Sequence, residues 1–306
     1  MLKLCPTGYA VVLIVCAAGC AREKWPDPPP VDQAKYQQEY AAFKKGQLET
    51  ATYALPLVGA WSLEEGDTPF GSDPALPIAL PARATVAHAG VFRRTGNAVS
   101  VIPAPGAHLR REDGSDVASA APADQGPPLV IGSVHLEVFP APPDAIMVMG
   151  RDDADPRLKD LQIETYPVDP KWRVAARFDA FEKPKTVPIA STRGPVHDET
   201  APGQLVFQAN GQEFRLTALG EPGSGQLFVL FRDETNGKST FSGYRMLSAK
   251  AVPNGQWTVL DFNLASNPPC AYSKFTMCPL PPRENRLALA VEAGVKRHPT
   301  ARGYGE

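Results

Sequence analysis

The chain has 306 residues, 43% of them hydrophobic and 21% charged, with a formal net charge of −2. That length suffices for two domains of ordinary size, and the mixture can bury a core, unlike a disordered chain; the charge balance excludes a global pull toward nucleic acid or anionic lipid. Its 33 prolines break up long helices and favour short strands joined by rigid turns.

Residues 1–19 read as a signal peptide. Lys3 supplies a positive start, Tyr9 to Cys16 is an uncharged apolar run, and Ala17-Ala18-Gly19 precede Cys20. The run is roughly half the ~20 residues of a membrane-spanning helix, which fits cleavage better than a permanent span. Small residues followed by Cys resemble the lipobox of bacterial lipoproteins, in which that thiol receives a diacylglycerol. The resemblance implies lipidation of Cys20, a membrane as partner through the lipid anchor, and a domain in the cell envelope outside the cytoplasm. The alternative is an ordinary secretory signal with a chance Cys. After export Cys270 and Cys278 are the unmodified cysteines of the mature chain. An oxidising compartment makes a disulfide the first reading, ahead of free thiols or a metal site, for which only His298 is near in sequence.

Residues 20–31, with Pro26, Pro28, Pro29 and Pro30, are expected to be a semi-rigid tether holding the domain off the membrane. Tyr36, Tyr40 and Phe43 then recur at helical spacing, which predicts an amphipathic helix over 32–48, N-capped by Asp32 and packed on the first sheet. From Leu57 the pattern turns to strands: 59–63, 77–80, 91–94, 98–102, 129–131 and 134–139, with turns such as Thr95-Gly96-Asn97 between them. Closely spaced short strands argue for a β-sandwich over 32–160 together with the helix. Residues 140–170 read as a proline-rich bridge. A second β domain over 161–298, sandwich or barrel, follows from runs at 172–178, 204–208, 213–219, 226–231, 240–247, 258–262 and 287–291. Asn210-Gly211 is a two-residue hairpin signal. Residues 182–203 read as an exposed loop, and 299–306 as a tail. The fold class is mostly β with one N-terminal helix.

Phe70-Gly71-Ser72-Asp73, then Thr85-Val86-Ala87-His88, then Asp113-Gly114 are similar to the loops of forkhead-associated domains. That resemblance implies a forkhead-associated-like sandwich. In the family an Arg after the first Gly grips a phosphothreonine; Ser72 stands there, so the bidentate phosphate clamp is missing. Ser72, Thr85 and His88 are then expected only to fix a loop.

Further on stand Phe231-Arg232-Asp233-Glu234-Thr235-Asn236-Gly237-Lys238, Gly243-Tyr244-Arg245, Leu260-Asp261-Phe262-Asn263 and Asn267-Pro268-Pro269-Cys270. Cys278-Pro279-Leu280-Pro281-Pro282, Glu284-Asn285-Arg286-Leu287 and Glu292-Ala293-Gly294 complete the series. In this order the blocks resemble the uncharacterised bacterial domain-of-unknown-function family 1684, over roughly residues 36–297 and most specifically over 228–295. Val295 and Ser239 depart from its pattern. The family carries no activity to transfer. Asp233, Arg245, Asp261, Asn263, Asn267, Glu284 and Asn285 are unusually polar for strand-rich surroundings. They form either a cleft, with Asp233 or Asp261 as acid or base and Arg245 holding an anion, or a structural network around 268–282. No nucleophile–base motif, phosphate loop, cofactor motif or metal-binding His pair occurs. The expected function is a non-catalytic envelope protein binding a small molecule or a protein partner, with no nucleic acid; a hydrolase sited in the C-terminal domain is the alternative.

Overall fold

The computed structural model describes residues 25–141, 144–192, 196–221 and 223–299. Cys20 and the signal segment lie outside them. The fold is mostly β, as expected. Ten strands make the N-terminal unit: β1 (Leu57–Ser62), β2 (Gly66–Gly71), β3 (Ile78–Ala79), β4 (Gly90–Thr95), β5 (Ala98–Pro103), β6 (Arg110–Arg111), β7 (Ala121–Pro122), β8 (Leu129–Ile131), β9 (Val134–Ala141) and β10 (Ala145–Asp152). They form two five-stranded sheets, ordered β1-β10-β9-β8-β6 and β3-β2-β4-β5-β7. Inward-facing Phe70, Phe92 and Val101 from one sheet meet Leu136, Ile146 and Val148 from the other in one buried core. The strand β10 falls where a bridge was expected. Its alternating burial pairs along the whole of β9, and the prolines of that stretch flank the strand without interrupting it.

Six strands make the second unit: β11 (Arg173–Ile189), β12 (His197–Ala209), β13 (Gln212–Ala218), β14 (Gln226–Phe231), β15 (Arg245–Lys250) and β16 (Trp257–Asp261). One sheet runs β13-β12-β11-β16, and β14 and β15 form a hairpin. Leu219 and Phe228 exchange two backbone hydrogen bonds of 2.8 Å, joining the hairpin to the end of β13. All six strands contribute to one core, in which Phe262 meets Phe207 at 5.4 Å and Phe231 at 5.5 Å. The result is a barrel split between β15 and β16, which no ladder joins.

The turn at Asn210 and Gly211 has φ of 51° and 76°, the left-handed pair that a tight hairpin requires. The supposed loop over 182–203 is instead largely strand: β11 and β12 continue as a long two-stranded arm, with a register shift between Ala180 and Lys185, and Ile189 and Ala201 bury its far part against the core around Cys270. Pro184 and Pro188 are tolerated because β16 pairs only as far as Arg177, leaving the arm of β11 with one partner. Residues 287–291, expected as a strand, belong to none.

The helix α1 (Gln33–Ala54) is capped by Asp32, whose carboxylate accepts from Lys35 N at 3.0 Å. It runs on to Ala54, past the expected end at residue 48. Its stripe packs mainly on the second unit, not on the first sheet as expected. The Tyr40 hydroxyl donates to Thr165 Oγ1 at 2.8 Å, Asn267 N donates to Gln47 Oε1 at 2.9 Å, and Ala51, Ala54 and Leu55 join the core around Cys270 and Tyr272. The described part of the tether is also held down. Trp25 meets Trp257 edge-on at 5.0 Å, and Arg173 donates to Pro29 O at 2.6 Å. Among the described residues no helix is long and apolar enough to cross a membrane.

Candidate functional site

The polar residues of the C-terminal blocks do not converge on one cleft. Asp233 and Arg245 form an ion pair with no exposed side-chain surface on either partner. Arg245 also donates to Ala293 O and to Val291 O, while Asp233 Oδ1 accepts from Thr235 N, Thr235 Oγ1 and Val291 N. Burial pulls the Arg245 guanidinium below its ordinary range against the opposing pull of Asp233. Elsewhere, Asn285 bridges the Thr217 main chain and Leu230 O, with exposed Glu284 accepting from the Thr217 hydroxyl at 3.2 Å. Asn263 clasps Asp169 through both of its backbone groups. Asn267 donates to Lys296 O at 3.1 Å. These side chains satisfy buried main-chain groups of irregular segments, which would otherwise stand unpaired at a cost of about 1–3 kcal/mol each. The same contacts explain the missing strand at 287–291: the Val291 main chain serves Asp233 and Arg245 instead of a ladder.

Asp261 is the exception, because it lines a groove although it is itself largely buried. A groove of about 1030 Å³ lies between α1 and the outer side of the β15–β16 split. Phe43, Phe228, Met246, Val259 and Leu264 are among its apolar lining, and Phe228 is 50% exposed. At one corner stand Tyr36, Glu39, Arg173 and Asp261. Asp261 Oδ1 caps the following turn by accepting from Asn263 N at 3.0 Å, while Oδ2 lies 3.9 Å from Arg173 Nε. The Tyr36 hydroxyl is buried and faces the Asp261 carboxylate without closing a hydrogen bond to it. Burial, the Asp261 carboxylate and Glu39 push this phenol well above its ordinary value of 10.0. The sequence signalled Tyr36 only through helical spacing, and Glu39 and Arg173 not at all.

In the first unit the structure does bring Ser72, Thr85 and His88 near one another. Ser72 N donates to Val86 O at 3.0 Å and Asp73 N to Ala87 O at 3.1 Å. A Cβ on Gly71 would stand 2.1 Å from Ala87 O, so only glycine permits this approach. His88 is exposed, with Nε2 3.8 Å from Asp73 Oδ2. The Thr85 hydroxyl is buried with no hydrogen-bond partner, so it does not pin the loop by a hydrogen bond.

Cys270 and Cys278 are both free and buried in this structure. Cys270 N donates to Cys278 Sγ at 3.3 Å, and the Tyr244 hydroxyl lies beside both sulfurs. Donation from Cys270 favours the Cys278 thiolate and draws that thiol down to about 7, while Cys270 is pushed up. Among the described residues no group of three His, Cys, Asp or Glu side chains is placed to hold a metal ion.

No curated protein matches the chain. A solution NMR structure of an uncharacterized protein of Haloarcula marismortui is 33% identical, covering 46% of this chain and 80% of that one, with a TM-score of 0.40. Residues 161–296 match the family model described as Protein of unknown function (DUF1684). The match takes in the split barrel, the polar blocks and the lower wall of the groove, so this unit is similar to the DUF1684 family.

Proposed function

We propose that this protein is an exported lipoprotein, anchored through Cys20, that binds a small molecule in the envelope without chemically transforming it. The observation that carries the binding reading is a contrast between two places. The charged and amide side chains of the C-terminal blocks are mostly occupied in holding main chain, whereas the groove beside α1 offers space, apolar lining and an incompletely bonded polar corner. Sites for small ligands combine these same features. A hydrolase would need a carboxylate or imidazole able to exchange a proton with substrate. Asp233 is enclosed with Arg245, and Asp261 has a phenol and a guanidinium beside it instead of a nucleophile.

The same proposal takes the N-terminal sandwich as a forkhead-associated-like module that lacks the phosphate grip, supported by its paired five-stranded sheets and the close approach at Gly71. It also takes Cys270 and Cys278 as a disulfide in the exported protein, supported by their contact beneath α1.

Two measurements test the reading. Wild type should fractionate with membranes and Cys20→Ser with the soluble fraction; a wild type that is itself soluble removes the anchor. Native mass spectrometry of protein extracted from the membranes of a producing cell should reveal a non-covalent small molecule that Met246→Trp, which fills the groove, no longer retains. Equal retention by that variant, or no bound molecule in either, defeats the binding site.

A further inference from the structure

The groove is selective as well as roomy. Its lining combines apolar side chains, among them Phe43, Phe228, Met246 and Leu264, with a charged corner at Tyr36, Glu39, Arg173 and Asp261. In the corner a buried hydroxyl, on a residue only 7% exposed, lacks a hydrogen-bond partner. Two carboxylates, Asp261 and Glu39, act on that hydroxyl, against one guanidinium, Arg173. The guanidinium is partly engaged elsewhere, since its Nη1 donates to Pro29 O at 2.6 Å, and its Nε stands 3.9 Å from Asp261. The corner therefore carries net negative charge, whereas Lys250, the groove's other cation, stands beside Thr258 toward the Trp257 end of the groove. A group that donates hydrogen bonds and bears positive charge satisfies the corner; a carboxylate or phosphate is repelled.

The shape of the split limits what occupies the rest. An added strand needs about 4.8 Å on each side to pair with both edges. The split is pinned near both ends, where Thr258 Oγ1 donates to Lys250 O at 2.8 Å and Met246 and Ser266 exchange backbone hydrogen bonds of 2.9 Å. A peptide threaded between β15 and β16 would break both. The occupant lies on the split, below α1, against Phe43, Phe228, Met246 and Leu264.

Resting on the binding reading above, we propose that the groove accepts a single-chain amphiphile, its cationic hydrogen-bond-donating head at Tyr36, Glu39 and Asp261 and its apolar tail along Phe43, Phe228, Met246 and Leu264.

Dodecylamine, dodecanoate and dodecyl maltoside, titrated below their micelle concentrations into the full-length protein, compare heads on one tail. Trp257, which lines the groove, reports binding by its fluorescence. Dodecylammonium should bind at least tenfold more tightly than dodecanoate. Asp261→Asn, which keeps the turn cap because Asn also caps, and Tyr36→Phe should each erase most of that tenfold preference. Met246→Trp should abolish binding of all three, with an unchanged circular dichroism spectrum showing that the variant is folded. Dodecanoate binding as well as the amine, or Met246→Trp binding undiminished, overturns the proposal. So does native mass spectrometry that finds a peptide or an anionic molecule in the groove. If none of the three binds while native mass spectrometry still finds a molecule that Met246→Trp releases, the ligand class falls and the binding reading stands.

Discussion

Asp233 and Arg245 offer the sharpest test of whether the polar C-terminal blocks hold the fold together. Replacing Asp233 by Ala leaves a guanidinium with no exposed surface facing two carbonyls, those of Ala293 and Val291, and no counter-charge. The same change strands two backbone donors, Thr235 N and Val291 N, while the Thr235 hydroxyl keeps its partner in Thr240 Oγ1. Breaking a buried pair by removing one partner costs about 3–5 kcal/mol, chiefly through the orphaned charge. For a unit of this size that is a fall in melting temperature of roughly 10–15 °C. Asp233→Ala, Arg245→Met and the double variant should be unfolded in urea and followed by circular dichroism. Each single change should lose about 3–5 kcal/mol with an unaltered slope, and the double variant should lose far less than the sum, because neither charge is then left alone. A loss below about 1 kcal/mol for Asp233→Ala, or singles that add within about 0.5 kcal/mol, would refute the structural role and reopen a functional one.

Three smaller tests follow. Gly46 sits inside α1, and a Cβ added there would meet nothing within 4 Å, so Gly46→Ala should raise stability by about 0.5–1 kcal/mol in the same urea assay; a loss would mean the helix needs a break there. Burial alone would raise Asp155, but Arg157, through its side chain and its backbone N–H, holds that carboxyl below the usual range. Stability from this group is present above the unfolded value of about 3.9 and is lost as pH falls through the folded one, so the gap in melting temperature between wild type and Asp155→Asn should close below about pH 4; a gap that widens in acid contradicts the sign. Cys270 and Cys278, taken from the envelope without reductant and denatured in iodoacetamide, should resist alkylation together until reduced; labelling of both before reduction removes the disulfide.

The parts of the fold that were legible in the sequence are those in which one local signal decides the outcome. Strands 98–102 and 129–131 carry short apolar or alternating patterns, and Asn210-Gly211 supplies a turn that few other pairs can make. Misreadings cluster where tertiary pairing overrides composition. The arm of β11 and β12 is proline-containing and exposed over residues 182–186, yet each strand supplies the other's ladder and Ile189 and Ala201 anchor it in the core around Cys270, so polarity did not mean loop. The helix runs through Gly46 because its far end is anchored by Ala51, Ala54 and Leu55, a packing term that outweighs the modest penalty of one glycine. The polar blocks were recognisable as unusual, but whether they formed a cleft or a set of braces depended on partners such as Thr217, Val291 and Gln47, far away in the chain. The groove is assembled from residues 31–50, 173, 225–230 and 246–266, and no spacing rule connects those segments.

The tether changes how groove and anchor relate. A proline-rich segment with few apolar side chains argues for a spacer, but Trp25 is the exception within it, and its contact with Trp257 fastens the segment beside the groove. Arg177 adds its guanidinium 5.8 Å from the same indole, and Pro29 is tied to Arg173. Four residues lie between Cys20 and Trp25, five steps of chain that reach at most about 18 Å when extended. On the proposed anchoring, the Trp257 end of the groove stands no farther from the lipidated residue than that reach plus the width of the Trp25–Trp257 contact. An amphiphile drawn from the same membrane would then meet the groove from its own leaflet, with little of its tail crossing water. Trp25→Ala sets that contact apart from the groove itself, since Trp25 does not line it. In solution the variant should bind dodecylamine with nearly wild-type affinity, whereas on vesicles carrying the lipidated protein the rate of ligand uptake should fall. Equal uptake rates for wild type and variant would show that the tether's attachment plays no part in delivery.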